Sequence, residues 1–177
     1  MKQAVFLDRD GTINEDVGDL FEIDRVVFIP GAVDALRMLA GRFDIFIITN
    51  QSGIGKGVFD LDRYRSFEYE YNALLAREGI DIVETYCCPH RNDEPCVCRK
   101  PSTHFMTAAA DKYGIDLALS FVVGDHPHDV EMGARAGARA VYLLTGHGTR
   151  HRDELLVIPD HIADDLYGAA AWICASD

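Results

Sequence analysis

The chain has 177 residues, 48% hydrophobic and 26% charged, which fits a single globular domain over 1–177 and excludes a disordered tract, a collagen or a coiled coil. Seventeen basic residues stand against 29 acidic ones, a formal net charge of −12 that repels nucleic-acid backbones and anionic lipid. An anionic ligand therefore needs a local counterfield: a metal ion, a few placed cations or helix N-termini.

Ala4–Asp8 (AVFLD) reads as a buried strand, and 13–30 as a loop or small hairpin beside its C-terminal end. A helix over Ala32–Leu39 follows the Pro30-Gly31 break, then a strand over Asp44–Thr49 and a helix over Asp62–Glu78. Ile82–Tyr86 is the third strand, and 87–101 forms an irregular insert. Next come a helix over Thr103–Tyr113, a strand over Ser120–Gly124, a helix over His128–Ala136 and a strand over Ala140–Leu144. The stretch 146–159 is polar and loop-like, and a last helix covers Asp165–Ala175. Continuously apolar strands alternating with helices predict a three-layer α/β domain, a Rossmann-like parallel sheet with helices on both faces. The spans from Asp10 to Thr49 and from Asn50 to Lys100 are consumed by these elements, leaving no room for a large cap domain. The N-terminal apolar run meets charge at Asp8, and no stretch approaches the roughly 20 apolar residues of a membrane span. The expected location is the cytoplasm, with a monomer as the default state.

In open parallel sheets, ligands bind outside the carboxyl ends of the strands. Asp8 closes the first strand, and Asp10 points to the same side if the chain stays extended. Two carboxylates this close invite a divalent cation such as Mg²⁺, although the pair alone also fits a solvated surface turn. The second strand runs into Thr49-Asn50-Gln51-Ser52-Gly53, hydroxyl and amide donors compatible with a phosphate or with a plain capped turn. Asp125 ends the fourth strand and offers a further metal ligand. Asp129 either ligates, orients, or complements a helix dipole. Arg99 and Lys100 supply two cations ahead of a helix, an anion site or a solvated pair.

The insert carries Cys88, His90, Cys96 and Cys98. Three thiolates and an imidazole within eleven residues suit a tetrahedral structural Zn²⁺ better than Mg²⁺. The competing readings are free thiols or a strained disulfide. Cys87 points the other way by strand alternation, and Cys174 reads as a small apolar residue on the last helix.

The ordered set Asp8-x-Asp10-Gly11-Thr12, Thr49-Asn50, Lys100 and Gly124-Asp125 with Asp129 resembles the haloacid dehalogenase (HAD) superfamily of phosphotransferases over 4–145. FLDRDGTIN, TNQSGIGKG and the CPH and CxCRKP stretches resemble its capless, zinc-containing branch. That resemblance implies a phosphatase that acts through an aspartyl-phosphate on Asp8, with Asp10 as general acid and then base. It implies that Thr49, Asn50 and Lys100 hold phosphoryl oxygens, and that Asp8, the Asp10 main-chain carbonyl and Asp125 hold Mg²⁺. The implied substrate is a small phosphorylated metabolite, first the 7-phosphate of a heptose 1,7-bisphosphate, then histidinol phosphate. A different class, a zinc-stabilised binding module without catalysis, is disfavoured by the presence of Asp8, Asp10, Lys100 and Asp125 together. Arg99, Gln51 and Ser52 are expected at the substrate. Asp16 and Asp19 replace the Gly-Tyr common in the branch, and His126 stands where another basic residue is common; all three bear on substrate choice. His126 and His128 fit either an anion contact or exposed loop positions.

Overall fold

The computed structural model describes residues 2–176. Six strands, β1 (Ala4–Leu7), β2 (Asp44–Asn50), β3 (Ile82–Cys88), β4 (Phe121–Gly124), β5 (Arg139–Leu143) and β6 (His161–Ala163), form one sheet in the order β3-β2-β1-β4-β5-β6. All its pairings are parallel. The helices are α1 (Ala32–Ala40), α2 (Ser52–Gly55), α3 (Leu61–Arg77), α4 (His104–Tyr113), α5 (Pro127–Ala136), α6 (Gly148–His151) and α7 (Leu166–Ala175).

The strands are buried on both sides because their side chains alternate between two cores. Val5, Leu7, Ile45, Ile47, Phe121 and Val123 pack against apolar residues of α1, α3 and α7. Ala4, Phe6, Phe46, Ile48 and Val122 pack on the opposite face against Met106 and Ala109 of α4 and Met132 of α5. Each buried Leu, Ile or Phe side chain contributes about 1.5–3 kcal/mol relative to exposure, so the central strands fix the register of the whole sheet. The result is the predicted three-layer α/β architecture with no large inserted cap.

The structure departs from expectation in two places and chooses between alternatives in a third. The stretch 146–159 is not simply loop: α6 and a 3-10 turn over Arg152–Glu154 occupy its first half. β6 was not anticipated, because three residues give no usable periodicity. Residues 13–30 follow the loop alternative rather than the hairpin one: an antiparallel bridge joins Asn14 to Phe28, and a 3-10 turn spans Ile23–Arg25. Among the described residues no helix is long and apolar enough to cross a membrane.

β1 has β2 on one side and β4 on the other, and the chain direction of crossover reverses between them. Such a switch point opens a crevice at the carboxyl ends of β1 and β4. Asp8 follows β1 directly and Asp125 follows β4, so the topology alone delivers two carboxylates to the same place.

Candidate active site

A cleft of about 650 Å³ opens over that crevice. It is lined by Asp8, Asp10, Thr49, Asn50, Arg99, Lys100 and Asp125, and also by Asp16, Asp19, Gln51, Ser52 and His126. Sequence reasoning missed Lys56, Asn92 and His147 on its wall and left His128 open; it too lines the cleft. Lys56 sits within the GIGKG stretch, so its spacing after Thr49 was the available signal.

Lys100 is the cation at the floor. Its Nζ lies 2.8 Å from Asp8 Oδ1 and 2.7 Å from Asp129 Oδ1. Its main-chain N–H donates to Asn50 Oδ1 at 3.3 Å, which ties β2 to the segment before α4. Asp129 is thus no mere dipole complement: it anchors Lys100, and its other oxygen accepts the His126 N–H at the start of α5. The Asp8 Oδ1 also accepts the Arg9 N–H at 2.8 Å.

Asp8, Asp125 and Asp129 bring ligand atoms within 4.8 Å of one another. Burial pushes Asp8 up to about 7; Lys100 opposes that shift and Asp129 adds to it. Burial, followed by the charges of Asp8 and Asp129, pushes Asp125 up to about 8. Burial pulls the Lys100 ammonium down, but Asp129 and Asp8 outweigh it and raise it. Three acids around one lysine leave a surplus of negative charge, the condition a hard divalent cation relieves. The backbone makes room for this: a side chain at Gly11, which has φ +79°, would strike the Asp125 carboxylate. Asp125 itself is held by the His147 main-chain N–H at 2.7 Å.

Asp10 accepts on both oxygens. Arg9 donates to it through Nε at 3.2 Å and Nη2 at 2.8 Å, Asn14 Nδ2 at 2.9 Å and Gln51 Nε2 at 2.9 Å. Gln51 Nε2 also donates to Thr49 Oγ1 at 2.8 Å, linking the end of β2 to Asp10 after β1. Asp16 meets the His147 ring at 2.9 Å, a bridge between the loop after β1 and the loop after β5.

The insert folds as a closed four-ligand cluster. The ligand atoms of Cys88, His90, Cys96 and Cys98 all lie within 4.8 Å of one another. Cys87 faces away and is half-buried near Tyr64 on α3. Cys174 is also half-buried and packs on the apolar core. The cluster is wired to the cleft: Gln51 N–H donates to Cys88 O at 2.8 Å, Gly55 N–H to Pro89 O at 2.9 Å, and Arg99 to His90 O.

Residues 97–169 match the HAD-hydrolase-like family model. The chain is 40% identical over 153 residues to a D-glycero-beta-D-manno-heptose-1,7-bisphosphate 7-phosphatase of Yersinia pestis, covering 81% of each. It is 36% identical over 174 residues to the enzyme of that name from Haemophilus influenzae, covering 94% of each. A crystal structure of the D,D-heptose 1,7-bisphosphate phosphatase from B. bronchiseptica, complexed with magnesium and phosphate, superposes with a TM-score of 0.90 at 29% identity over 100% of both chains.

Proposed function

The chain belongs to the HAD superfamily as a magnesium-dependent phosphomonoesterase closely related to the D-glycero-D-manno-heptose-1,7-bisphosphate 7-phosphatases, and on that premise we propose that it removes the 7-phosphate of D-glycero-D-manno-heptose 1,7-bisphosphate through an aspartyl-phosphate on Asp8. The observation that supports the assignment of roles is the clustering of Asp8, Asp125 and Asp129 at the switch point of the sheet, with Lys100 paired to Asp8 and Asp129. Residues 1–177 act as one catalytic unit in this reading.

Asp8 attacks phosphorus, the bond to the sugar oxygen breaks, and Asp10 delivers a proton to that oxygen. Asp10 then takes a proton from water, whose oxygen attacks phosphorus and releases Asp8 and inorganic phosphate. Lys100 and the Thr49 and Asn50 side chains hold the phosphoryl oxygens, and most of the catalysis is positioning and charge stabilisation. Asp8, the Asp10 main-chain carbonyl and Asp125 would hold the magnesium ion, which when bound neutralises charge on the phosphoryl group. Arg99 and Lys56 face the cleft as cations for the second phosphate, and Asp16, Asp19, Ser52 and His126 bound the sugar. The charge of −12 supports a small phosphorylated sugar over a nucleic acid as the partner.

Zinc is the ion we assign to Cys88, His90, Cys96 and Cys98. Tetrahedral zinc with ordinary bond lengths places sulfur atoms about 3.8 Å apart and sulfur and nitrogen about 3.5 Å apart. The Cys88–Cys96 sulfurs stand at 3.7 Å, and His90 Nδ1 lies 3.5 Å from Cys88 and 3.3 Å from Cys98. The ion would be structural, and its loop would fix Arg99 and Lys100.

The substrate assignment is tested by turnover of the heptose bisphosphate against histidinol phosphate in Mg²⁺. The heptose bisphosphate is expected to win in kcat/KM. Preference for histidinol phosphate would move the substrate while leaving the chemistry, and turnover of neither would return the binding-module reading.

A further inference from the structure

Among the described residues Arg9 is the largest side chain fully sealed from solvent, at 2% exposure, and the proposed reaction gives it no role. It is an unusual residue to bury beside an active site, because an isolated guanidinium inside a protein is costly unless it is paired. Its position explains the burial. The guanidinium carbon lies 5.0 Å from the Phe67 ring centre and 5.9 Å from that of Tyr71, both on α3. From that aromatic seat the fork reaches both oxygens of Asp10. A second arm comes from Asn14, whose Nδ2 donates to Asp10 Oδ1 while its own Oδ1 accepts the Tyr71 hydroxyl at 3.0 Å. Gln51 Nε2, itself on the cleft wall, donates to Asp10 Oδ2, and 16% of the Asp10 side chain is exposed to the cleft. A buried ion pair rarely adds stability over apolar residues of equal volume, so stability gives no reason for this convergence of donors on one carboxylate.

We propose that Arg9 is a positioning residue that fixes the Asp10 carboxyl at the leaving-group oxygen. The fork sets the plane of the carboxyl group, and the rings of Phe67 and Tyr71 set the fork. Lys cannot reproduce this, since it is a point charge with no planar pair of donors. The inference rests on the reading of Asp10 as the acid of the first step.

The test exploits the leaving group. A p-nitrophenolate departs without a proton, whereas a sugar alkoxide needs one, and kcat/KM reports only events up to departure. Asp10→Asn, Arg9→Lys and Phe67→Leu are compared on p-nitrophenyl phosphate and on the heptose bisphosphate. Arg9→Lys is expected to lower kcat/KM for the sugar phosphate about 100-fold and for the nitrophenyl ester less than about 5-fold. Phe67→Leu, which loosens the seat and keeps Arg9, is expected to shift the ratio about 3–10-fold in the same direction. If Asp10→Asn reduces both substrates equally, the acid role of Asp10 falls. If Asp10→Asn discriminates but Arg9→Lys, or Phe67→Leu where the former does not fold, reduces both equally, the inference about Arg9 is overturned.

Discussion

Lys100 Nζ lies 2.7 Å from Asp129 Oδ1, with the two residues 4% and 1% exposed. Twenty-nine positions separate them in sequence, yet they form a closed ion pair beneath the cleft. Lys100 has a second partner in Asp8, so Asp129 decides where the ammonium stands rather than whether it is neutralised. Asp129→Asn is expected to raise KM and the Mg²⁺ concentration for half-maximal rate, each about tenfold, as Lys100 shifts towards Asp8. Stability should change little, because the cluster loses a like charge along with an attractive one. Steady-state kinetics and urea unfolding measure the two effects separately.

Asp8→Asn removes the proposed nucleophile and is expected to cost at least about 10³-fold in kcat with the fold retained. Phosphate release with equal protein, together with the circular dichroism spectrum, provides the check. Rates near wild type would place the nucleophile elsewhere.

Metal-free stability should depend on pH in an unusual direction. Asp8 and Asp125 rise from 3.8 towards about 7 and about 8 in the folded chain. Between those limits the folded state holds more protons than the unfolded one, so stability falls as pH rises through the window. Magnesium held by these carboxylates, as proposed, needs them ionised, so its stabilisation should grow across the same window. Thermal midpoints with and without saturating Mg²⁺, at about pH 5.5 and about pH 8.5, are expected to show the larger Mg²⁺ effect at the higher pH. An equal effect at both would contradict the crowded-carboxylate picture.

With zinc in the cluster as proposed, a strong chelator should release the 88–98 loop and, with it, Arg99 and Lys100. The expected result is loss of activity on both substrates that excess Mg²⁺ does not restore and zinc does. Metal analysis of the purified protein should give one zinc per chain. Zinc-free protein with full activity would leave the cluster without the proposed role.

Gly11→Ala should fail for two reasons at once. The φ of +79° disfavours any side chain, and the new methyl would meet the Asp125 carboxylate. Loss of activity and about 2 kcal/mol or more of stability is expected, read by urea unfolding.

The strand ends were legible because each is a local pattern: an apolar run that stops at a chemically distinct residue. Asp8, Thr49 and Asp125 were placed at the rim on that basis, and all three line the cleft. The clustering of Cys88, His90, Cys96 and Cys98 was legible for the same reason, the four falling within eleven residues.

What the chain order could not contain is pairing across distance. The Asp16–His147 bridge joins residues 131 apart, and the Tyr71–Asn14 hydrogen bond joins residues 57 apart. Arg9 is a lone arginine between two acids, with no periodicity that marks it as buried, so nothing local announces its place. The sequence by itself determined β1 to β5, the five longer helices and the set of chemical groups delivered to the sheet's carboxyl edge, because apolar runs and ligand spacings are properties of neighbouring residues. Only the tertiary structure decided which cation meets which carboxylate and which side chains are sealed, because those depend on the strand order that sets β1 between β2 and β4 and lays α3 over Arg9.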